Sequence, residues 1–228
     1  MPKSTITEFI PDPLLAEDPD CPVFGFNLAC AFPFPPETAA AYRPPAERLA
    51  KLHPGLYVYP DWETHVTIVT FVNFSKHRRP TPEQRAALES LMPGVIELVR
   101  TAPLPAPFQL ILDRPVLTPK AVILPIHDSA GAIPHLRAHI RTTVENDPAW
   151  RAQLENAGWN IPGIIHSTIA RFTAAPIDPM HFRENFDRIA ASTEPIPLTV
   201  RELLITTETK PYMREGEIIH RFPLAEKF

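Results

Sequence analysis

The sequence predicts an α+β fold built on antiparallel sheets. Three observations lead there. Candidate strands and helices alternate without the regular βαβ beat of a parallel sheet. Candidate strands come in pairs joined by short connections, as in hairpins. One pattern also occurs twice: residues 65–71 read HVTIVTF and residues 166–172 read HSTIARF. His65/His166, Thr67/Thr168, Ile68/Ile169 and Phe71/Phe172 agree position by position, and a candidate helix follows each copy. That echo suggests a pseudo-duplicated molecule with two lobes.

Residues 1–22 are polar and broken by proline, and read as an irregular lead-in. Residues 23–32 (VFGFNLACAF) form an apolar run between prolines, the pattern of a buried strand. Residues 36–52 have helical spacing of Ala40, Leu49 and Leu52, and residues 56–59 read as a short strand. Residues 65–74 are β-branched and aromatic, hence a strand. Thr81 is a candidate N-cap with Pro82 at the first helical position, opening a helix to about Arg100 that Pro93 interrupts. Residues 108–113 and 120–126 read as strands joined by RPVLT. Helices are expected over 129–146 and, shorter, over 148–160. The strand 164–173 carries the second motif copy, and a helix over 178–191 starts from Asp178 as cap. Strands at 198–207 and 217–223 close the chain around the loop ETKPYMREG. Residues 23–228 are read as one domain.

Composition narrows the function. The 228 residues are 44% hydrophobic and 21% charged, as in ordinary globular proteins. The net charge of −4 argues against a duplex-DNA-binding protein, while leaving room for a local basic groove. Thirty prolines are scattered rather than clustered, which implies many short, stiff connections. Cys21 and Cys30 are the only cysteines, with no Cys-x-x-Cys, so a reduced, intracellular protein is expected. The first residues hold no apolar targeting segment and no run is long enough to span a bilayer; the expected location is the cytoplasm, away from membranes. Seven glycines form neither a P-loop nor a dinucleotide-binding motif.

The doubled motif carries chemistry. Side chains alternate faces along a strand, so His65 shares a face with Thr67, and His166 with Thr168. If the lobes face each other, two imidazoles and two hydroxyls converge. In-line displacement at phosphorus needs a base on the attacking oxygen and an acid on the leaving oxygen. Histidine serves as either near neutral pH, and hydroxyl donors stabilise charge on the non-bridging oxygens. No metal or other cofactor is required. A third match, His127-Asp128-Ser129, lacks the apolar continuation and reads as chance. Either histidine alone would be an ordinary strand residue, as would either threonine; the pairing reverses that judgement.

The HVTI and HSTI segments resemble the paired H-x-T/S motifs of the 2H phosphoesterase superfamily, which includes RNA 2′,3′-cyclic phosphodiesterases of the 2′-5′ RNA ligase type. HSTIAR is similar to the second-motif form of the RNA enzymes, LYVYPDWETHVTI resembles the approach to the first motif, and VRELLITTETKPYMREGEIIHRFPL resembles the C-terminal hairpin. The likeness covers residues 23–224; the Pro-rich start matches nothing in the family. It implies a bilobal fold with antiparallel strands lining a central cleft and helices outside. It implies His65 and His166 as the acid/base pair, with His166 the base and His65 the acid in hydrolysis, and Thr67 and Thr168 as phosphate ligands. The substrate it implies is a nucleotide or RNA-end phosphodiester; the protein itself is expected to be a monomer. Rival readings are a cyclic oligonucleotide, a 2′-5′ linkage or a sugar cyclic phosphate as substrate, or a module that binds a nucleotide without turnover.

Other candidates carry less. Arg171 lies five residues after His166, so alternation turns it away from the site unless the strand bulges. Tyr212, in the last hairpin loop, is the better substrate contact there; Lys210 and Arg214 read as a solvated turn. Trp62 and Tyr59 are candidates to stack on a base, against the commoner role of core or rim aromatics. His135 and His139 are spaced i,i+4, but no carboxylate completes a metal site.

Overall fold

Proline opens most of the helices. In the computed structural model, which describes residues 8–225, a proline occupies the first or second position of six of the seven described α-helices. An N–H there has no intrahelical acceptor, so its loss costs nothing, and the ring presets φ. The elements run α1 (Pro13–Glu17), β1 (Gly25–Cys30), α2 (Pro36–Ala50), β2 (Leu56–Val58), β3 (Val66–Val72), α3 (Pro82–Glu89), α4 (Met92–Thr101), β4 (Phe108–Leu112), β5 (Val116–Leu117), β6 (Ala121–His127), α5 (Ala132–Glu145), α6 (Pro148–Ala157), β7 (His166–Phe172), α7 (Pro179–Ala191), β8 (Ile196–Val200), β9 (Glu202–Glu208) and β10 (Gly216–Pro223).

The cap residues read from sequence do their work: Thr81 forms a capping box with Gln84, and the Asp178 carboxylate accepts from His181 N. The helix expected over 82–100 is two helices, parting at Ser90 and Leu91. Pro93 has no N–H for the carbonyl of Glu89, so it serves in the first turn of α4 instead. The strand expected over 198–207 also divides. Its halves, β8 and β9, lie in different sheets, with Arg201 as the corner. The expected lead-in contains a short helix capped by Asp12, with Phe9, Leu14 and Leu15 buried; its residues 1–7 lie outside the described part.

Every pairing among the described strands is antiparallel. One sheet has the order β10-β9-β1-β3 and the other β2-β7-β6-β4-β8, with β5 beside β6. The halves of the chain are interleaved: β2 crosses to the second sheet, and β9 and β10 return to the first. The two motif strands, β3 and β7, contact each other where the sheets meet. One continuous core joins the sheets to the helices, through Tyr42 and Leu49 of α2, Leu98 of α4, Ile140 of α5 and Phe182 of α7. Each such side chain contributes roughly 1.5–3 kcal/mol by burial, which makes the core a firm support for the sheet junction.

Candidate active site

Both motif strands carry a β-bulge at the same place. In β3, Thr67 pairs with Ala29 and Val69 with Leu28, leaving Ile68 as the extra residue. In β7, Thr168 pairs with Ile123 and Ala170 with Val122, leaving Ile169 extra. A bulge resets alternation by one residue. Two consecutive residues then point inward, Ile68 with Val69 and Ile169 with Ala170, and all four are buried. Beyond the bulge, Thr70 and Arg171 return to the face of the histidines. These are equivalent positions, each five residues after its histidine. The sequence pattern turned Arg171 towards the site only if the strand bulged, and it does; Thr70 has no counterpart in the sequence reading.

The six side chains His65, Thr67, Thr70, His166, Thr168 and Arg171 line one cavity of about 230 Å³. Tyr59 and Tyr212 line it too, whereas Trp62 does not. Trp62 is 66% exposed and borders two neighbouring surface hollows. Lys210 and Arg214 pair with Asp20, and Lys210 also with Glu215, outside the cavity.

The first histidine is held firmly. His65 Nδ1 lies 3.0 Å from the Glu63 carbonyl, which can only accept, so the neutral ring carries its proton on Nδ1 and leaves Nε2 bare. Burial pulls its pKa down to about 4, against the help of that carbonyl; His166 and Arg171 lower it further. His166 Nδ1 is buried with no hydrogen-bond partner. Burial lowers the pKa of His166 as well; Arg137 and Arg171 push the same way, and the Ile164 carbonyl nearby opposes them. Burial thus favours the neutral form of both rings. No described protein group occupies the hydroxyl of Thr67 or Thr168, which leaves both available to a ligand.

Arg171 is fixed on three sides. Its Nε donates to Tyr59 Oη at 3.0 Å, its guanidinium lies 4.0 Å from the Tyr212 ring centre, and Nη1 is 3.6 Å from Asp12 Oδ2. The Tyr212 hydroxyl donates to the same Asp12 oxygen. Three residues of its loop, Tyr212, Met213 and Glu215, have positive φ.

Two further residues escaped the sequence reading. Glu208, at the end of β9, is 3% exposed and lines the cavity. Its oxygens accept from Asn27 Nδ2 at 3.2 Å and Met213 N at 3.1 Å. Burial nevertheless pushes its pKa up to about 7. The sequence signal was faint: a carboxylate at the end of the strand ELLITTE, after two threonines. Arg137 of α5, 7% exposed, ties β3 to the segment that leads into β7. It donates to the carbonyls of Ile68 (2.9 Å), Thr67 (3.1 Å) and Ile164 (3.4 Å), so the carbonyl of Ile68, the extra residue at the bulge both strands share, ends on a charged donor. Nothing in a helical Arg at an apolar position announces such partners.

Among the described residues, no three His, Cys, Asp or Glu side chains gather as a metal-binding set. His135 and His139 stay on α5, away from the cavity. Cys21 and Cys30 are buried and unpaired, and no described helix is long and apolar enough to cross a membrane.

No protein-family model and no curated protein matches the chain. Solved structures do. TT0787 from Thermus thermophilus is 20% identical, with a TM-score of 0.61 over 88% of this chain and 97% of its own. ATU0111, a conserved protein of unknown function from Agrobacterium tumefaciens, is 16% identical, with a TM-score of 0.58 over 95% of each chain. LigT from E. coli, solved in complex with 3′-AMP, is 14% identical, with a TM-score of 0.52 over 90% of this chain and 99% of its own. At these identities the likeness is one of architecture: the chain has the α+β fold of antiparallel sheets found in LigT.

Proposed function

We propose that the protein is a 2H-type phosphodiesterase that hydrolyses a 2′,3′-cyclic phosphate at an RNA end or on a nucleotide, with His65 and His166 exchanging the protons. One observation carries this reading: two His-x-Thr strands, bulged at the same position, present their imidazoles and hydroxyls to a single cavity. The LigT-like fold supports it, and so does the nucleotide bound to LigT itself.

In the proposed reaction, a water oxygen attacks phosphorus while His166 takes its proton. The bond from phosphorus to one ribose oxygen breaks, and His65 protonates that oxygen as it leaves. Thr67 and Thr168 donate to the non-bridging oxygens, where charge builds in the transition state. Arg171, held at the cavity wall, adds a fixed positive charge. A buried imidazolium needs an acceptor for each of its N–H groups. His65 has one in the Glu63 carbonyl, which suits it to carry the proton that it donates. Since burial favours neutral His65, the anionic substrate supplies the attraction that charges it, and binding takes up a proton.

The test is turnover of 2′,3′-cyclic nucleotides by the pure protein, with and without a chelator. Hydrolysis to a single monophosphate that persists in the chelator is the expected result. Saturable binding without turnover would instead establish a binding module, and activity restored only by added metal would reject the two-histidine mechanism.

A further inference from the structure

We propose that Asp12, on the segment before β1, is a positioning residue of this site: its carboxylate clasps Tyr212 and Arg171 together and so fixes the loop between β9 and β10 at the cavity wall. The inference rests on the proposed use of the cavity for its activity readouts, but not for its structural one.

The segment is anchored to the second sheet. Ile10 N donates to Pro119 O at 2.8 Å and Asp12 N to Phe172 O at 2.6 Å, and the Phe9 ring packs edge-on against Phe172 and Phe182. Asp12 is 9% exposed and uses both oxygens. Oδ1 caps α1 through Leu14 N and Leu15 N, while Oδ2 accepts from Tyr212 Oη and faces Arg171 Nη1. Those two partners come from opposite sides of the cleft: Arg171 from β7 in one sheet, Tyr212 from the loop that ends β9 in the other. One carboxylate therefore joins the two walls where they meet the catalytic cavity. The same segment grips the loop again further along, where Arg214 Nη1 donates to Pro19 O at 2.6 Å and Asp20 pairs with Lys210 and Arg214. A loop with three non-glycine residues at positive φ does not hold that shape unaided. The clasp and the second grip are what over-determine it.

The bland alternative is that Asp12 is only a helix cap. Three variants separate the two. Asp12→Ala removes cap and clasp, Asp12→Asn keeps the cap on its one carbonyl oxygen but sets an NH2 donor where Tyr212 Oη and Arg171 meet an acceptor, and Tyr212→Phe removes the hydroxyl's share of the clasp alone. Amide hydrogen exchange of residues 209–215, measured without substrate, is the first readout; kcat and KM for a cyclic nucleotide are the second. The expected result is faster exchange in all three variants, with kcat lower by roughly 10- to 100-fold, the scale of a slight misplacement of catalytic groups; Asp12→Asn shares the loss although its cap is intact, because the clasp needs the carboxylate. Wild-type exchange and turnover in Tyr212→Phe beside an impaired Asp12→Ala would overturn the proposal in favour of the cap. Unchanged exchange in Asp12→Ala would overturn it as well. If the wild-type protein turns over no cyclic nucleotide, the functional reading fails while exchange still decides the clasp.

Discussion

Two imidazoles whose neutral form burial favours share one cavity with the hydroxyls of Thr67 and Thr168. His65→Ala and His166→Ala should each fold, as circular dichroism would show, and lose about 10²–10⁴-fold in turnover. The double variant should be little worse than the poorer single one, since in the proposed reaction both act in one displacement. A substrate with an activated leaving group tells the roles apart: it needs no proton on departure, so it should rescue His65→Ala and not His166→Ala. Equal rescue of both would remove the assignment. Thr67→Val and Thr168→Val keep strand shape and lose the donor, at a cost on the order of 2.7–4 kcal/mol in activation free energy each; single-turnover rates at the wild-type level would make both threonines plain strand residues. These four residues were legible because a strand-borne tripeptide shows its face directly. Glu208 was not, because its place depends on Asn27 and on a turn in β9–β10 that no local pattern encodes.

Among the elements, the strands were read from apolar runs and β-branched or aromatic composition, and most lie where expected; the facing of their side chains was read from alternation. Alternation fails where pairing decides. A bulge is a property of two strands, so neither HVTIVTF nor HSTIARF reveals by itself that Thr70 and Arg171 face the site. The same limit applies at Arg201: residues 198–207 are uniformly strand-like, and only the partners, β4 for β8 and β1 for β9, divide them. Arg137 is the helix-borne counterpart of the bulge. Arg137→Met keeps much of the side-chain length but leaves the carbonyls of Thr67, Ile68 and Ile164 without their charged donor. Each hydrogen bond to such a group is worth about 1.5–3 kcal/mol, so denaturant unfolding should show a loss of at least that size. Arg137→Lys should recover part of it, and a stable Arg137→Met protein would contradict the role of this residue as the tie between β3 and the segment that leads into β7.

At the scale of the whole molecule, the site makes stability depend on pH in two opposed ways. His65 has a folded pKa of about 4 against 6.5 unfolded, so its contribution is lost as pH falls from 6.5 towards 4. Glu208 has a folded pKa of about 7 against 4.5, so its contribution is present below 4.5 and lost as pH rises towards 7. Each is worth about 3 kcal/mol across its window, and between pH 4.5 and 6.5 the two largely cancel. Removing one should expose the other: His65→Ala should lose stability relative to wild type as pH rises from 4 to 6.5, and Glu208→Gln should gain it as pH rises from 4.5 to 7. Chemical unfolding at several pH values reads both slopes, and parallel curves for all three proteins would show that neither group is linked to folding.

The interleaving of the two halves has a consequence for inheritance and assembly. A duplication that merely repeated a self-sufficient lobe would leave two pieces able to stand apart. Here the stretch after α4 and before β4, at residues 103–107, is the natural midpoint, yet a chain severed there would leave the first sheet with only β1 and β3 and strip β2 from the second. Neither fragment owns a finished sheet, and each holds one histidine of the pair. Co-expressed, the two should recognise each other by completing sheets and recover activity together, as a heterodimer made from one ancestral chain.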